Sequence, residues 1–315
     1  PLGSVATRSN LLKIYEKRME SDDGALKVLD ELTENSALYS KIIGLDQESP
    51  DSELSHQLLE LSRAQGVASY LMLLFLFKKQ DQLELKDETL ALLVKLLVCF
   101  FVRRSLTDTP PTRDLERLFI SICESLESEG LKGIAAAEYI KKRLVDVSAS
   151  DASFKERLEG PIYDVNPDMT RYILTVIASP SVTKEMKPLW ERYASGNYVW
   201  TIEHIFPQGK NIPDEWVKMV ADGDMSKAIE VQEKQVHTLG NLTITGYNSK
   251  LSNMPFVTKR DRKDVNGANV GYRNGLNLND ELVNTDTWTS EQIQERTDKL
   301  VGLTLKAFDF DEIEF

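Results

Sequence analysis

Apolar side chains recur at helical spacing from Asn10 to about Glu159. Leu11, Leu12, Ile14 and Tyr15 open a first amphipathic stretch, and Leu26, Leu29 and Leu32, then Leu38, Ile42 and Ile43, supply others. Asp51 or Ser52 offers a cap for a helix carrying Leu54, Leu58, Leu59 and Leu61 that ends near Gly66. Ala68–Lys79 is apolar nearly all round, which is the pattern of a helix inside a bundle. Asp87–Arg104 presents Leu90, Leu92, Leu93, Leu96, Leu97, Phe100 and Phe101 and breaks at Thr109-Pro110-Pro111. Thr112 and Asp114 begin the next helix, with Leu115, Leu118, Phe119 and Ile122 on its apolar face. The pattern predicts a helical bundle over residues 5–165.

Gly160-Pro161 and Asn166-Pro167 punctuate the chain and predict a boundary, with a second domain over 166–315 and its core at 198–264. All four tryptophans lie beyond it. Thr170–Ala178 and Thr183–Ala194 read as helices leading into a run of β-formers, Tyr198, Val199, Trp200 and Ile202, which Pro207 stops. An excursion over Pro213–Val236 reads as two short helices. A second β-like run, Leu239–Thr245, turns at Gly246 into a polar segment beginning Tyr247-Asn248-Ser249-Lys250. Thr289 with Gln292 predicts a capping box for a last helix through Ile293, Leu300, Leu303 and Leu305, and the acidic end Asp309–Phe315 reads as frayed.

The chain has 315 residues, 41% hydrophobic and 28% charged, which is the make-up of a globular protein large enough for two cores. Pro1-Leu2-Gly3-Ser4 reads as a remnant of tag removal, and residues 1–4 are set aside. Lys and Arg number 38 against 50 Asp and Glu, a net charge of −12. Affinity for nucleic acid therefore cannot come from general phosphate attraction and needs a local patch, a metal or a partner. Only Cys99 and Cys123 occur, both in apolar or helical context, which points to buried thiols in a reducing, cytoplasmic compartment and leaves no cysteine zinc knuckle. The apolar runs Tyr70–Phe77 and Leu90–Val102 are too short, or are interrupted by Lys95, to span a bilayer, so no membrane partner is expected. No Gly-x-x-x-x-Gly-Lys-Ser/Thr or Gly-x-Gly-x-x-Gly is present, so no nucleotide site is expected within the chain.

The chemistry concentrates between Val199 and Lys259. Three blocks stand in order: Ile202-Glu203-His204-Ile205-Phe206-Pro207-Gln208, His237-Thr238-Leu239-Gly240-Asn241-Leu242-Thr243, and Asn248-Ser249-Lys250-Leu251-Ser252-Asn253-Met254-Pro255-Phe256 with Lys259. Taken singly, His204 and His237 are more often structural histidines, and Asn241 and Asn248 turn or cap residues. Taken together, with strands on both sides, they read as catalytic. The three blocks resemble the HNH, or ββα-metal, nucleases, and more narrowly the C-terminal nuclease domain of the GmrSD-type, modification-dependent restriction proteins. The resemblance implies a mainly α protein with a small α+β part, a helical bundle followed by a ββα-metal domain wrapped by helices. It also implies phage or modified DNA as substrate, and an N-terminal NTP-dependent domain ahead of the helical region.

Phosphodiester hydrolysis asks for a base near neutral pH and a hard cation beside the scissile phosphate. His204 is the candidate base. By resemblance, Glu203 and Asn248 hold Mg²⁺, or Mn²⁺ in its place, Asn241 ties the catalytic loop and orients His204, and His237 supports the phosphate or the surroundings of the metal. Neighbouring strand residues face opposite sides, so Glu203 and His204 share one ion only if the strand ends or bulges there. Lys250, Asn253, Lys259, Arg260, Arg262 and Lys263 form the candidate DNA-contacting cluster, with Asp261 and Asp264 interspersed. The same charges also suit an exposed helix face paired with its own acids. Arg103 and Arg104 match a Val-Arg-Arg segment of the same family's helical region and are weighed as phosphate contacts or as ordinary helix-end arginines. The alternative to a nuclease is a non-cutting DNA-binding or regulatory module that depends on the N-terminal domain; a zinc hydrolase built on His204 and His237 lacks the helical His-x-x-x-His spacing.

Overall fold

The computed structural model describes residues 9–44 and 52–315, mostly helices with one two-stranded sheet. Two compact units divide it. The first comprises the described residues up to Val98, then Thr112–Leu144 and Ile313–Phe315; the second comprises Cys99–Pro111 and Val145–Glu312.

The first unit contains α1 (Leu11–Arg18), α2 (Asp22–Ile43), α3 (Glu53–Arg63), α4 (Tyr70–Lys78), the first half of α5 (Asp87–Thr107), α6 (Thr112–Ser128) and most of α7 (Gly133–Val147). Ser52 caps α3, its hydroxyl accepting the Ser55 N–H at 3.2 Å, while Asp51, the other candidate cap, lies outside the described residues. Met72, Leu73 and Leu76 of α4 are fully enclosed, as its uniform apolarity requires. Leu11, Leu12, Leu26, Leu29 and Leu32 of the first two helices are exposed instead of forming a buried face.

The second unit carries α8 (Asp151–Glu159), α9 (Ile162–Val165), α10 (Pro167–Ala178), β1 (Thr201–His204), α11 (Asp214–Ala221), α12 (Met225–Gln235), β2 (Leu242–Thr245), α13 (Asn248–Leu251), α14 (Phe256–Arg260), α15 (Asp280–Val283) and α16 (Ser290–Ala307). Its start near Val145 differs from the boundary expected after residue 165. Gly160-Pro161 is a turn between α8 and α9, both of which pack within this unit, α8 also against α16. Arg103 belongs to it as a buried strut. Its guanidinium pairs with Asp151, donates to Ala149 O at 3.2 Å and lies over the Phe154 and Phe310 rings, each at 4.8 Å, which removes it from phosphate contact. Arg104 donates to Pro110 O at 3.0 Å.

The expected helix over Thr183–Ala194 is a series of turns, because Pro188 disfavours a helical residue before it and offers no N–H. Buried Arg171 of α10 organises that segment. It donates to Leu189 O at 2.6 Å and to Trp200 O at 3.1 Å, and stacks on Tyr198 at 3.6 Å, so the chain enters β1 from a fixed position. On the other side, the capping box of Thr289 and Gln292 starts α16 as the spacing predicts. Gly240, in the turn just before β2, lets that helix approach closely: a Cβ there would lie 2.0 Å from Ile293 O. Arg296, fully enclosed in α16, donates to Gly240 O at 2.6 Å and to Leu242 O at 2.8 Å. The end of the chain is not frayed, since Phe310 and Ile313 are buried. Cys99 and Cys123 are buried thiols, and burial pushes Cys123 up to about 12. Among the described residues no helix is long and apolar enough to cross a membrane.

Candidate active site

β1 and β2 run antiparallel, with Thr201 opposite Thr245, Ile202 opposite Ile244, Glu203 opposite Thr243 and His204 opposite Leu242. The α13 helix follows β2 after a two-residue turn. Three ties hold the end of β1. Asn241, fully buried, donates through Nδ2 to Phe206 O at 2.9 Å and Val236 O at 3.0 Å, while its Oδ1 accepts from Phe206 N at 2.8 Å and Trp288 Nε1 at 3.3 Å. Its own carbonyl accepts from Ile205 N at 2.9 Å. Asn248, the first residue of α13, donates through Nδ2 to Ile202 O at 2.6 Å. All four hydrogen-bonding positions of the Asn241 side chain are thereby used, two on Phe206 and one each on Val236 and Trp288, while its backbone carbonyl holds Ile205.

Alternation along the strand sends Glu203 and His204 to opposite sides. On one side, Glu203 Oε1 accepts from Lys259 Nζ at 2.6 Å and from Tyr272 Oη at 3.5 Å. The same ammonium donates to His204 O at 2.9 Å and Ile205 O at 3.1 Å, so Lys259 makes three bonds in a site where it is 0% and Glu203 3% exposed. Burial pushes the Glu203 carboxyl up and the Lys259 ammonium down, and each partner opposes the other's shift. On the other side, His204 Nε2 lies 3.0 Å from His237 Nδ1. The ring of Tyr163 meets His204 edge-on at 4.8 Å and stacks on His237 at 5.3 Å. Burial, aided by His237 and Lys259, pushes His204 down to about 3, so its imidazole is neutral at neutral pH.

His204 is thus a neutral, desolvated imidazole at a strand end, in a loop locked by Asn241 and followed by a second strand and a helix. Residues 148–303 match the family model of the GmrSD restriction endonucleases, C-terminal domain. Through this segment the chain belongs to the GmrSD-type family. A comparison with curated proteins finds no match. The matched segment starts near the beginning of the second compact unit and takes in β1, β2 and the whole neighbourhood of His204.

Within this GmrSD-type domain two of the expected DNA-contacting residues are placed elsewhere. Lys259 is enclosed in the ion pair with Glu203. Arg260 is 7% exposed and donates to Asp286 at 2.6 Å and to Asp261 at 2.9 and 2.6 Å, which holds Asp261 well below the usual carboxylate range and raises Arg260. Asp261 also receives Arg273 at 2.6 Å, so much of the cluster is paired with its own acids. Asn253 and Lys263 are exposed and Arg262 is half-buried. The Lys250 side chain lies outside the described residues.

Mg²⁺ takes one or two carboxylates together with substrate phosphates and water. Glu203 does not fit that part, because its charge is balanced by Lys259 and it faces away from the side of the strand that His204 occupies. Among the described residues no group of three or more His, Cys, Asp and Glu is arranged to hold a metal. Asn248 remains as the expected donor, its amide nitrogen spent on Ile202 O and its oxygen still an acceptor by chemistry. Tyr163 and Asp164 at this site were not foreseen from sequence, because the Gly-Pro and Asn-Pro pairs on either side of them read as a linker.

The depressed His204 makes a measurable pH dependence. Between about 3, its folded value, and 6.5, its ordinary one, the unfolded chain binds a proton that the folded chain does not. Stability therefore falls as pH drops through that window, by at most about 1.4 kcal/mol per pH unit. Urea midpoints at pH 7 and pH 5 are expected to differ less in His204→Gln than in the parent chain; equal differences would show that His204 is not the group responsible.

Proposed function

We propose that the second unit is a DNA endonuclease of the ββα-metal (HNH) type, hydrolysing phosphodiester bonds with His204 as general base. The succession β1, β2, α13, with His204 on the last residue of β1 and Asn241 fixing the backbone beyond it, carries the proposal. His204 takes the proton of the attacking water, a step typically worth roughly 10²–10⁴-fold. Asn241 holds the loop, and Lys259 holds its carbonyls from the other side. A divalent cation, Mg²⁺ or Mn²⁺, entering with the phosphate would be held by Asn248 and would offset charge on the phosphate and leaving oxygens. Asn253, Arg262, Lys263 and Lys250 are the residues proposed to meet the DNA backbone, which positions the strand without reading its sequence.

The setting proposed is cytoplasmic defence against phage DNA, probed for modification by an N-terminal NTP-dependent domain. A net charge of −12 favours one further possibility, a binding or regulatory module that cuts only with that domain present. The test is nicking of supercoiled plasmid by the purified chain with Mg²⁺, Mn²⁺ or EDTA. Metal-dependent nicking that EDTA abolishes is expected; absence of nicking with either metal would overturn the proposal for the chain alone and favour the regulatory module.

A further inference from the structure

His204, at the end of β1, and His237, between α12 and β2, face each other within hydrogen-bond distance. His204 Nε2 and His237 Nδ1 are 3.0 Å apart, and when both rings are neutral one nitrogen donates and the other accepts. Which one donates decides what His204 can do. If His237 Nδ1 carries the hydrogen, His204 accepts at Nε2, its own hydrogen sits on Nδ1, and no lone pair remains for a water. If His204 Nε2 carries the hydrogen, Nδ1 keeps its lone pair and the ring is a base.

The far side of His237 settles the choice. Its Nε2 lies 3.5 Å from Asp164 Oδ1, and a carboxylate at that distance favours a hydrogen on the nitrogen facing it. A neutral His237 protonated at Nε2 has a bare Nδ1, which must accept from His204. Asp164 stands on α9 next to Tyr163, whose ring stacks on His237 at 15° between planes and meets His204 edge-on at 84°. The Tyr163 N–H also donates to His237 O at 3.2 Å, so the segment before α10 is tied to the segment before β2 at this point. Four residues from three parts of the chain thus fix ring planes and hydrogens together.

We propose that Asp164, Tyr163 and His237 are positioning residues that hold His204 in the tautomer with hydrogen on Nε2, leaving Nδ1 as the basic nitrogen. The proposal rests on His204 being the base of the reaction described above. It assigns a part in the nuclease site to α9, and it makes His237 an orienting group rather than one that touches the phosphate. Groups that orient a working histidine in this way typically matter by about 10–100-fold.

The test reads the tautomer without any reaction. The chain has three histidines, so ¹⁵N-labelled histidine with His56→Gln and His237→Gln variants assigns each ring. In the full chain at pH 7, His204 is expected to show a protonated Nε2 and a bare Nδ1. In Asp164→Asn the amide can donate to His237, and the His204 pattern is expected to invert or mix, with kcat for plasmid nicking down at least tenfold and KM unchanged. Asp164→Glu is expected to restore both. A His204 ring protonated on Nδ1 in the parent chain, or an unchanged tautomer and kcat in Asp164→Asn, would overturn the proposal. If the tautomer responds as stated while His204→Ala still cuts, the relay stands and the assignment of the base falls.

Discussion

Lys259→Met is expected to destabilise the second unit by about 3–5 kcal/mol, the loss typical when one partner of a buried ion pair is removed. The reason lies in what is left behind. Glu203, at 3% exposure, would keep a charge with only the Tyr272 hydroxyl near it, and the carbonyls of His204 and Ile205 would lose the ammonium they share. Since burial already pushes the Glu203 carboxyl up, the variant has an escape: it can protonate Glu203. The loss should therefore shrink as pH is lowered, the opposite of the trend set by His204. Removing both charges with Lys259→Met and Glu203→Gln should recover part of the loss, because replacing a whole buried pair costs far less than halving it. Urea unfolding of the parent chain, the single variants and the double variant at pH 7 forms the cycle. A single-variant loss below about 1 kcal/mol, the range of an exposed pair, would show that the Lys259 ammonium is solvated and not the anchor of the loop.

Lys259 also shows where sequence was legible and where it was not. Its place among basic residues suggested a DNA-facing surface, and charge patterning alone cannot tell a steering patch from a buried counter-ion. One signal was available: Phe256, Lys259 and Arg260 stand at i, i+3 and i+4, one face of a helix, and Phe256 is the sort of residue that turns such a face inward. Where a local rule fixes the outcome, the expectation held. Thr289 and Gln292 close their capping box, Pro207 follows the end of β1, and the excursion from Pro213 resolves into two helices, α11 and α12. Where the outcome depends on distant partners it did not. Nothing near Asp164 announces His237, 73 residues later in sequence order and 3.5 Å away in space. The Gly-Pro pair before it marks a turn correctly, but a turn and a domain boundary have the same local chemistry. Leu26, Leu29 and Leu32 make the same point in reverse, since their spacing is that of a buried stripe and the described structure leaves them exposed.

His204→Ala is expected to lower the nicking rate by about 10²–10⁴-fold, the usual contribution of a general base. What makes the variant informative is that its fold should survive. The histidine side chain makes one hydrogen bond, to His237, whereas the backbone around it is held by Asn241 and Lys259, neither of which depends on the imidazole. Removing a desolvated ring also removes the acid-sensitive group, so the variant should tolerate pH 5 relatively better than the parent chain. Loss of cutting with retained urea midpoint at pH 7 would separate chemistry from folding. Lys259→Met, by contrast, should lose both together, because its ammonium fixes the carbonyl of His204 itself. Comparable nicking by His204→Ala and the parent chain would mean that the water is activated elsewhere, and the neutral imidazole at the end of β1 would then be a packing group enclosed between Tyr163 and His237.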